Sequence, residues 1–410
     1  MAAEDFSAIH KVAYGEGVPE LVPDIAIVQK DIKFAQSNLM GDYFEQAVRL
    51  ALPGGFTRAL GDGSAGVVSL AGATAGVQKK AKVYGTQLIL QDQISYEDLA
   101  KAVKAGPQAY KKATALFWEG MQLSMRKMLE VMCLYGNVGI GKVSAYSASN
   151  ASYSNQPTIT IAESDWAPQI WAGFEGTTLS VMNAATSSER GEANIVSVDI
   201  ENRVVVLSAT VSSCAANDIV YYKDGYGAEM SGLYAILSNT GTLFNISATT
   251  YANWKAAQHT VSGAFSFQAL KKGLSKGAGK GLMGNITVYC SDGAFDDLVG
   301  DIHQLRNVDK SETRRIELGQ DEVLYKRGGV SAIVKPHAMV KNGHAMGVVT
   351  DYSKRVGAAD FAFGIPGEDR IWFDLEGKTG KEGRAYTHQG VFIEQPGVCV
   401  LWNSITNRAT

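Results

Sequence analysis

The chain has 410 residues, 46% hydrophobic and only 19% charged, with a net charge of −3. That is too apolar and too weakly charged for disorder. Its 44 glycines follow no fixed period, which excludes a collagen-like rod, and 38 basic against 41 acidic residues mark no bulk nucleic-acid binder. The length suffices for one large core or two to three smaller ones, and the sparse charge fits a surface that is partly buried against other protein. No apolar run is long enough to span a membrane. The start, Met1 to Phe6, lacks a basic region followed by an apolar stretch, so no secretory leader is expected. Cys133, Cys214, Cys290 and Cys399 lie far apart and form no C-x-x-C pair, which predicts buried free thiols in a reducing compartment.

Taken in chain order, residues 1–54 read as an extended arm with one short helix, at 41–52. Gly15, Gly17, Pro19 and Pro23 favour irregular backbone, while scattered apolar residues (Phe6, Ile9, Val12, Leu21, Ile25, Ile27, Val28) lack an obvious partner of their own and are expected to pack on something else, such as a neighbouring subunit. Residues 55–93 read as a long hairpin with strands at 65–70 and 80–91 and a flexible tip at 72–76 (GATAG). A two-stranded ribbon with so few large apolar side chains is marginal alone and must lie on another surface. Ser95 with Asp98 forms a capping box for a short helix to about residue 105. Pro107 then opens a long helix to about Leu134. Its stripe of Phe117, Met121, Met125, Met128 and Met132 has helical spacing and predicts core packing, and Gly136 is expected as the left-handed cap.

Residues 143–156 (VSAYSASNASYSNQ) suggest a linker or exposed loop. From 157 to about 225 the pattern turns to period two, with strands at 158–161, 196–200, 204–208 and 218–222. This predicts a small β module inserted in a larger domain. A helix over 267–274, a glycine-laden loop over 273–284 and a buried strand over 285–290 follow. Ser291 then caps a helix with Phe295, Leu298, Val299, Ile302 and Leu305 inward and Asp296, Asp297 and Asp301 outward. Short strands are expected at 330–334, 346–350, 371–374, 391–394 and 398–402. The whole reads as α+β.

The catalytic motifs fail. Residues 136–142 (GNVGIGK), from Gly136 to Lys142, fit G-x-x-x-x-G-K, but Val143 replaces the magnesium-binding hydroxyl and the segment closes a helix instead of opening one. Residues 276–281 (KGAGKG) read as a crossing loop or a contact to another subunit. His337 and His344 have no metal spacing, and no G-x-S-x-G elbow exists. Arg314, Arg315 and Glu317 read as a solvated or interface surface. No cofactor or metal is expected.

The order of elements carries more information than any motif. An arm, a β ribbon (56–92), a short capped helix and a long helix ending in Leu134-Tyr135-Gly136-Asn137 are followed by a β module containing ANIVSVD at 193–199 and a strand–helix unit at 285–305. This series resembles the major capsid protein of tailed double-stranded DNA bacteriophages, the Hong Kong 97-type fold. The resemblance implies an N-terminal arm (1–54), an extended β-hairpin loop (55–93), a spine helix with the start of the peripheral domain (94–152) and an inserted small β domain (153–228). An axial-domain region (229–320) and the remaining strands of the peripheral and axial domains (321–410) complete it.

It implies a non-enzymatic subunit that self-assembles as hexamers and pentamers into an icosahedral head shell around double-stranded DNA. The shell would belong to the virion and be assembled in the host bacterial cytoplasm. The implied partners are further copies of the chain, a portal protein at one vertex, a decoration protein and the packaged DNA, with no membrane. The ribbon begins too early to leave room for the scaffolding segment that some members carry, so a separate scaffolding protein, or none, is expected. Phe56, Arg58, Lys79, Lys80, Lys82 and Tyr84 are the subunit-interface candidates, and the basic ones serve equally to keep an exposed ribbon soluble. Lys79, Lys80 and Lys82 are also the candidates for a Lys–Asn cross-link, which some members form. Lys111, Lys112, Arg126 and Lys127 are the inner-face, DNA-proximal candidates, or else ordinary solvated helix positions. The alternatives are an encapsulin-like nanocompartment shell and a nucleotide-binding enzyme using Gly136 to Lys142.

Overall fold

The computed structural model describes residues 26–36, 43–62, 66–104, 107–306, 322–364, 367 and 370–408, with the backbone alone for 102–104, 107–114 and 303–306. Most of the expected arm, and Arg314, Arg315 and Glu317, lie outside these residues. The described chain opens with a single helical turn, α1 (Ile27–Asp31), and a short strand, β1 (Phe34–Gln36). Where a helix was expected near 41–52, Phe44–Ala51 forms strand β2. The reason is its period of two, in which Phe44, Val48 and Leu50 pack on the core cluster while Glu45, Ala47 and Arg49 face out.

β2 pairs antiparallel with β3 (Val77–Val83), Phe44 opposite Val83. The ribbon's arms are therefore 44–51 and 77–83, not 65–70 and 80–91. Residues 66–70 form no strand, and the long connection is crossed by one bridge, Gly54 to Thr74. After Tyr84 and Gly85 the chain leaves the ribbon as β4 (Thr86–Ser95). Ser95 caps α2 (Tyr96–Lys104) as expected: its Oγ accepts the Asp98 amide at 3.1 Å and donates to Asp98 Oδ2 at 2.5 Å. The long helix, α3 (Pro107–Tyr135), has 29 residues, so it runs about 43 Å. Its left-handed stop is Asn137 (φ 64°), not Gly136. Gly136 is needed for space, since a Cβ there would meet the Met230 and Met132 carbonyl oxygens at 2.3 and 2.6 Å.

The β module is a closed six-stranded barrel of β5 (Gly141–Asn150), β6 (Gln156–Ile161), β7 (Thr178–Met182), β8 (Glu189–Asp199), β9 (Val204–Leu207) and β10 (Ile219–Tyr222), in the order β10-β5-β6-β9-β8-β7. The one-turn helix α4 (Pro168–Trp171) plugs it with the fully buried Trp171. The Ser/Asn-rich stretch expected as a linker is its first strand. Only Gly141 and Val143 of that strand are buried, so its membership rests on backbone pairing that composition does not reveal. On β8 the inward residues are Ala193 and Ile195, while Val196 and Ile200 are exposed. A bulge between Ile195 and Ser197 shifts the expected phase.

After α5 (Leu233–Ser238) and the small hairpin β11 (Thr242–Leu243) and β12 (Ile246–Ser247) come β13 (Ala257–Gly263), α6 (Phe267–Ala278), β14 (Gly284–Cys290), α7 (Asp292–Arg306), β15 (Val323–Arg327), β16 (Val330–Pro336) and β17 (His344–Val348). The last strands are β18 (Ser353–Phe363), β19 (Trp372–Asp374), β20 (Gly380–Ile393) and β21 (Val400–Ile405). A six-stranded sheet runs β13-β21-β17-β14-β16-β15, with β14 buried at its centre. Gly273 and Gly277, expected in a loop, lie inside α6. A Cβ at Gly273 would fall 2.1 Å from Trp402 Nε1, which donates to Ala269 O at 3.0 Å, so the glycine lets the helix rest on the ring. Asp297 and Asp301 do not simply face away: they accept the backbone amides of Arg408 and Phe267, both at 2.9 Å.

In a second sheet β20 runs antiparallel to β4 on one side and to β18 and β19 on the other, with β1 parallel to β18 at the edge. The helix α3 ties two cores together. Its middle turns lay Phe117, Met121 and Met125 on this sheet. Its last turns, Leu129 to Tyr135, enter the main core shared with the barrel and the six-stranded sheet.

Candidate assembly surfaces

The segment 26–36 is held from several sides by its own chain: Val28 and Ile32 are fully buried in the main core and Ile27 packs against it, so Ile27 and Val28, expected to lack a partner of their own, find one within the subunit. Glu130, fully buried in the apolar last third of α3, accepts the amides of Val28 at 2.6 Å and Gln29 at 3.1 Å. Its third partner is His337 Nε2 at 2.9 Å. The Met339 amide donates to His337 Nδ1 at 3.1 Å, so Nε2 carries the proton and Glu130 receives three donors. Arg355 donates to the Ile32 carbonyl at 2.9 Å, and Asp31 accepts from Tyr289 Oη at 2.8 Å beside Lys335 Nζ. Sequence reasoning missed Glu130. The available signal was one carboxylate inside the apolar run 128–134 (MLEVMCL), which must be paired once buried.

The ribbon is anchored at its base and open at its tip. Phe44 packs edge-on against Phe392 at 5.8 Å, and Lys82 N donates to Phe244 O at 3.0 Å. Beyond Leu50 the side chains lose contact with the body: Leu52, Phe56, Leu60 and Leu70 are 72–87% exposed. Of the interface candidates, Phe56 and Arg58 lie in this outer loop, and Tyr84 is exposed at the ribbon base, edge-on to Tyr43. Lys80 bonds Glu45 at 2.9 Å and Lys82 bonds Tyr43 Oη at 3.0 Å, each partner holding its ammonium above the usual lysine range. Lys79 sits 5.4 Å over the Tyr251 ring.

The DNA-proximal candidates do not form one surface. The side chains of Lys111 and Lys112 lie outside the described residues. Arg126 is exposed. Lys127 turns inward: its ammonium donates to the Ala172 carbonyl, lies 4.6 Å over the Phe174 ring, and is pushed by burial down to about 8. It braces α3 against the barrel and is not a solvent-facing cation.

The segment 136–142 is not a phosphate cradle, because its amides serve the fold. Asn137 N donates to Glu229 Oε2 at 3.2 Å, Val138 N to Tyr135 O at 3.0 Å and Ile140 N to Val220 O at 2.8 Å. Burial pushes Glu229 up to about 7. His344, held by burial down to about 3, is neutral and shares a hydrogen bond through Nε2 with the Tyr135 hydroxyl at 2.8 Å, while the Tyr135 oxygen accepts Lys341 N at 2.8 Å. His337 and His344 are thus core hydrogen-bonding residues. Cys133, Cys290 and Cys399 are buried free thiols, and Cys214 is half-buried. Among the described residues no cluster of His, Cys, Asp and Glu could hold a metal, and no helix is long and apolar enough to cross a membrane.

No protein-family model and no curated protein sequence matches the chain. Solved structures do match. The chain is similar to one in the capsid asymmetric unit of cyanophage A-1(L), with a TM-score of 0.56, 12% identity and coverage of 96% of this chain and 98% of that one. It is similar to one in the capsid of a native GTA particle, with a TM-score of 0.50, 8% identity and coverage of 96% and 95%. At these identities the likeness is one of fold, and it runs through nearly the whole length of both neighbours.

Proposed function

We propose that this chain, which has the Hong Kong 97-type capsid fold, is a structural subunit that assembles with copies of itself into a closed shell around double-stranded DNA. The observation that carries the reading is the ribbon. A short sheet firmly seated at its base ends in a loop of exposed apolar side chains, which gains stability only by burial elsewhere, at roughly 25 cal/mol per Å². In a shell of head-to-tail rings, the hexamers and pentamers of this reading, that surface is an adjacent copy. The segment 26–36, fastened by Glu130 and Arg355, belongs to the finished body of the subunit. Portal, scaffolding and decoration proteins, and a place in the virion after assembly in the bacterial cytoplasm, belong to the same reading.

The test is expression of the full chain alone, followed by sedimentation and electron microscopy. Closed particles of uniform diameter are expected, or closure once a candidate scaffolding protein is added. A stable monomer whose outer loop is protected from proteolysis would overturn the reading. Particle contents separate a DNA shell from a compartment for cargo enzymes.

A further inference from the structure

The distribution of lysines is uneven in a way the fold does not require. Elsewhere several basic side chains have carboxylate partners: Lys80 with Glu45 and Lys223 with Glu192 at 2.9 Å, Lys354 with Glu394 at 2.8 Å, and Arg355 with Asp360 at 2.5 Å. From residue 230 to residue 291 the sequence holds five lysines and no Asp or Glu. Three of them, Lys271, Lys272 and Lys276, stand exposed on one face of α6, around Ser275. Arg327, at the end of β15, reaches that face and donates to Ser275 Oγ at 2.8 Å. Among the described residues, none of these four cations nor Lys326 forms an ion pair. The neighbouring His259, on edge strand β13, is held below the usual histidine range by burial and then by the charges of Lys276 and Lys272.

Beside the helix, the β15–β16 turn borders an open cleft of about 670 Å³ lined by Asn285, Ser331 and residues 326–330, Lys326 and Arg327 among them. Gly328 (φ 51°) and Gly329 (φ 85°) take left-handed backbone and a Cβ on either would meet nothing, so the turn offers bare backbone between two cations. A solvated helix face ordinarily mixes signs, because like charges at i, i+4 repel. A stripe of one sign, left without a carboxylate partner beside an open cleft, fits a polyanion whose charges repeat.

We propose that the exposed face of α6 and the adjoining β15–β16 turn form a sequence-independent contact for the phosphate backbone of duplex DNA, and so face the shell interior. The proposal rests on the shell reading for its setting. It moves the genome contact from the long helix to the six-stranded domain. Lys280 is excluded from the contact, since its half-buried ammonium is held by the carbonyls of Lys255, Ala252 and Ala256 and is a brace, whereas the exposed Lys276 makes one such bond, to the Gln258 carbonyl at 3.0 Å.

The test measures binding of the full-length chain to a short fluorescein-labelled duplex of mixed sequence, by anisotropy between about 50 and 200 mM salt. K271Q/K272Q/K276Q should bind roughly tenfold or more weakly at the low-salt end, and its salt slope should fall by about 0.9 per lysine removed. R58Q/K79Q/K80Q, which takes the same charge from the ribbon, should keep both. An unchanged slope in the first variant, or an equal loss in the second, overturns the proposal. So does tighter binding of poly-glutamate than of DNA through the same lysines, which would assign the face to an acidic protein segment. If the triple variant misfolds, K271Q and K326Q singly should each lower the slope by about 0.9, and no change in either overturns the proposal. Because binding is read on the unassembled chain, failure to form particles would defeat the shell reading without deciding this one.

Discussion

The barrel and the ribbon are both built from antiparallel strands, yet they end in opposite states. In the barrel each strand has a neighbour on both sides, so no edge is left open, and the fully buried Trp171 lies against its first strand at Gly141, where a Cβ would fall 2.8 Å from the ring. The ribbon has two strands, and its outer loop turns Leu52, Phe56, Leu60 and Leu70 to solvent. One region is finished within the chain and the other is not. Stability of the chain and competence for assembly should therefore be separable by mutation.

The largest effect is expected at the loop. Changing Leu52, Phe56, Leu60 and Leu70 together to Ser should abolish particles in micrographs while leaving the melting temperature of the unassembled chain within about 2 °C, since exposed positions contribute little to folding. A lowered melting temperature would mean that the loop folds on its own subunit. The converse belongs to the barrel, where Trp171→Ala should cost about 3–5 kcal/mol in denaturant unfolding, because the plug has no replacement.

A third substitution separates the fixed segment from both regions. Glu130→Gln leaves a single acceptor oxygen for three donors, so one or two buried N–H groups lose their partner. The cost should be about 3 kcal/mol, with faster proteolytic cleavage near residues 26–36 and no change in the barrel's near-ultraviolet signal.

What could be read in advance follows from the reach of each interaction. The capping box at Ser95, the long helix from Pro107 and the Ser291 cap were legible because their causes lie within a few residues. The first barrel strand was not, since a run such as SAYSASN is strand only through its partners β6 and β10. Likewise β2 looked helical until its period of two was matched to a core contributed from Phe244 and Phe392. Among the site candidates, the exposure of Phe56 was legible because few large apolar neighbours flank it. Lys127 was misread, as it follows the exposed Arg126 on the helix but faces a carbonyl from a barrel loop that comes 45 residues later. Basic spacing along a helix does not distinguish a brace from a contact.

The pH dependence of the barrel junction gives a smaller effect. Burial holds Glu229 at about 7 in the folded chain, above its ordinary 4.5. The folded state therefore binds the extra proton, and stability falls as pH rises from about 4.5 to 7, then levels. Glu229→Gln keeps an acceptor for the Asn137 amide without the ionisation. It should flatten that fall, worth roughly 2 kcal/mol, in unfolding curves taken at pH 5 and pH 8.

The smallest effect discriminates most sharply between brace and contact. Lys127→Met keeps a long apolar stem against Phe174 and removes the ammonium that donates to Ala172 O. Relief of a desolvated charge and loss of a hydrogen bond of about 1–3 kcal/mol nearly offset, so stability at pH 7 should stay within about 1 kcal/mol of the original chain. The folded pKa near 8 lies below the ordinary 10.5, so the unfolded chain binds more protons between these values and stability should rise with pH across that window. In the variant this rise disappears. DNA binding and its salt slope should stay unchanged, because a side chain already pointed into the protein has no phosphate to release. If the slope fell as it does for K271Q, Lys127 would have to swing out to solvent in the functional state, and the junction between α3 and the barrel would have to open with it.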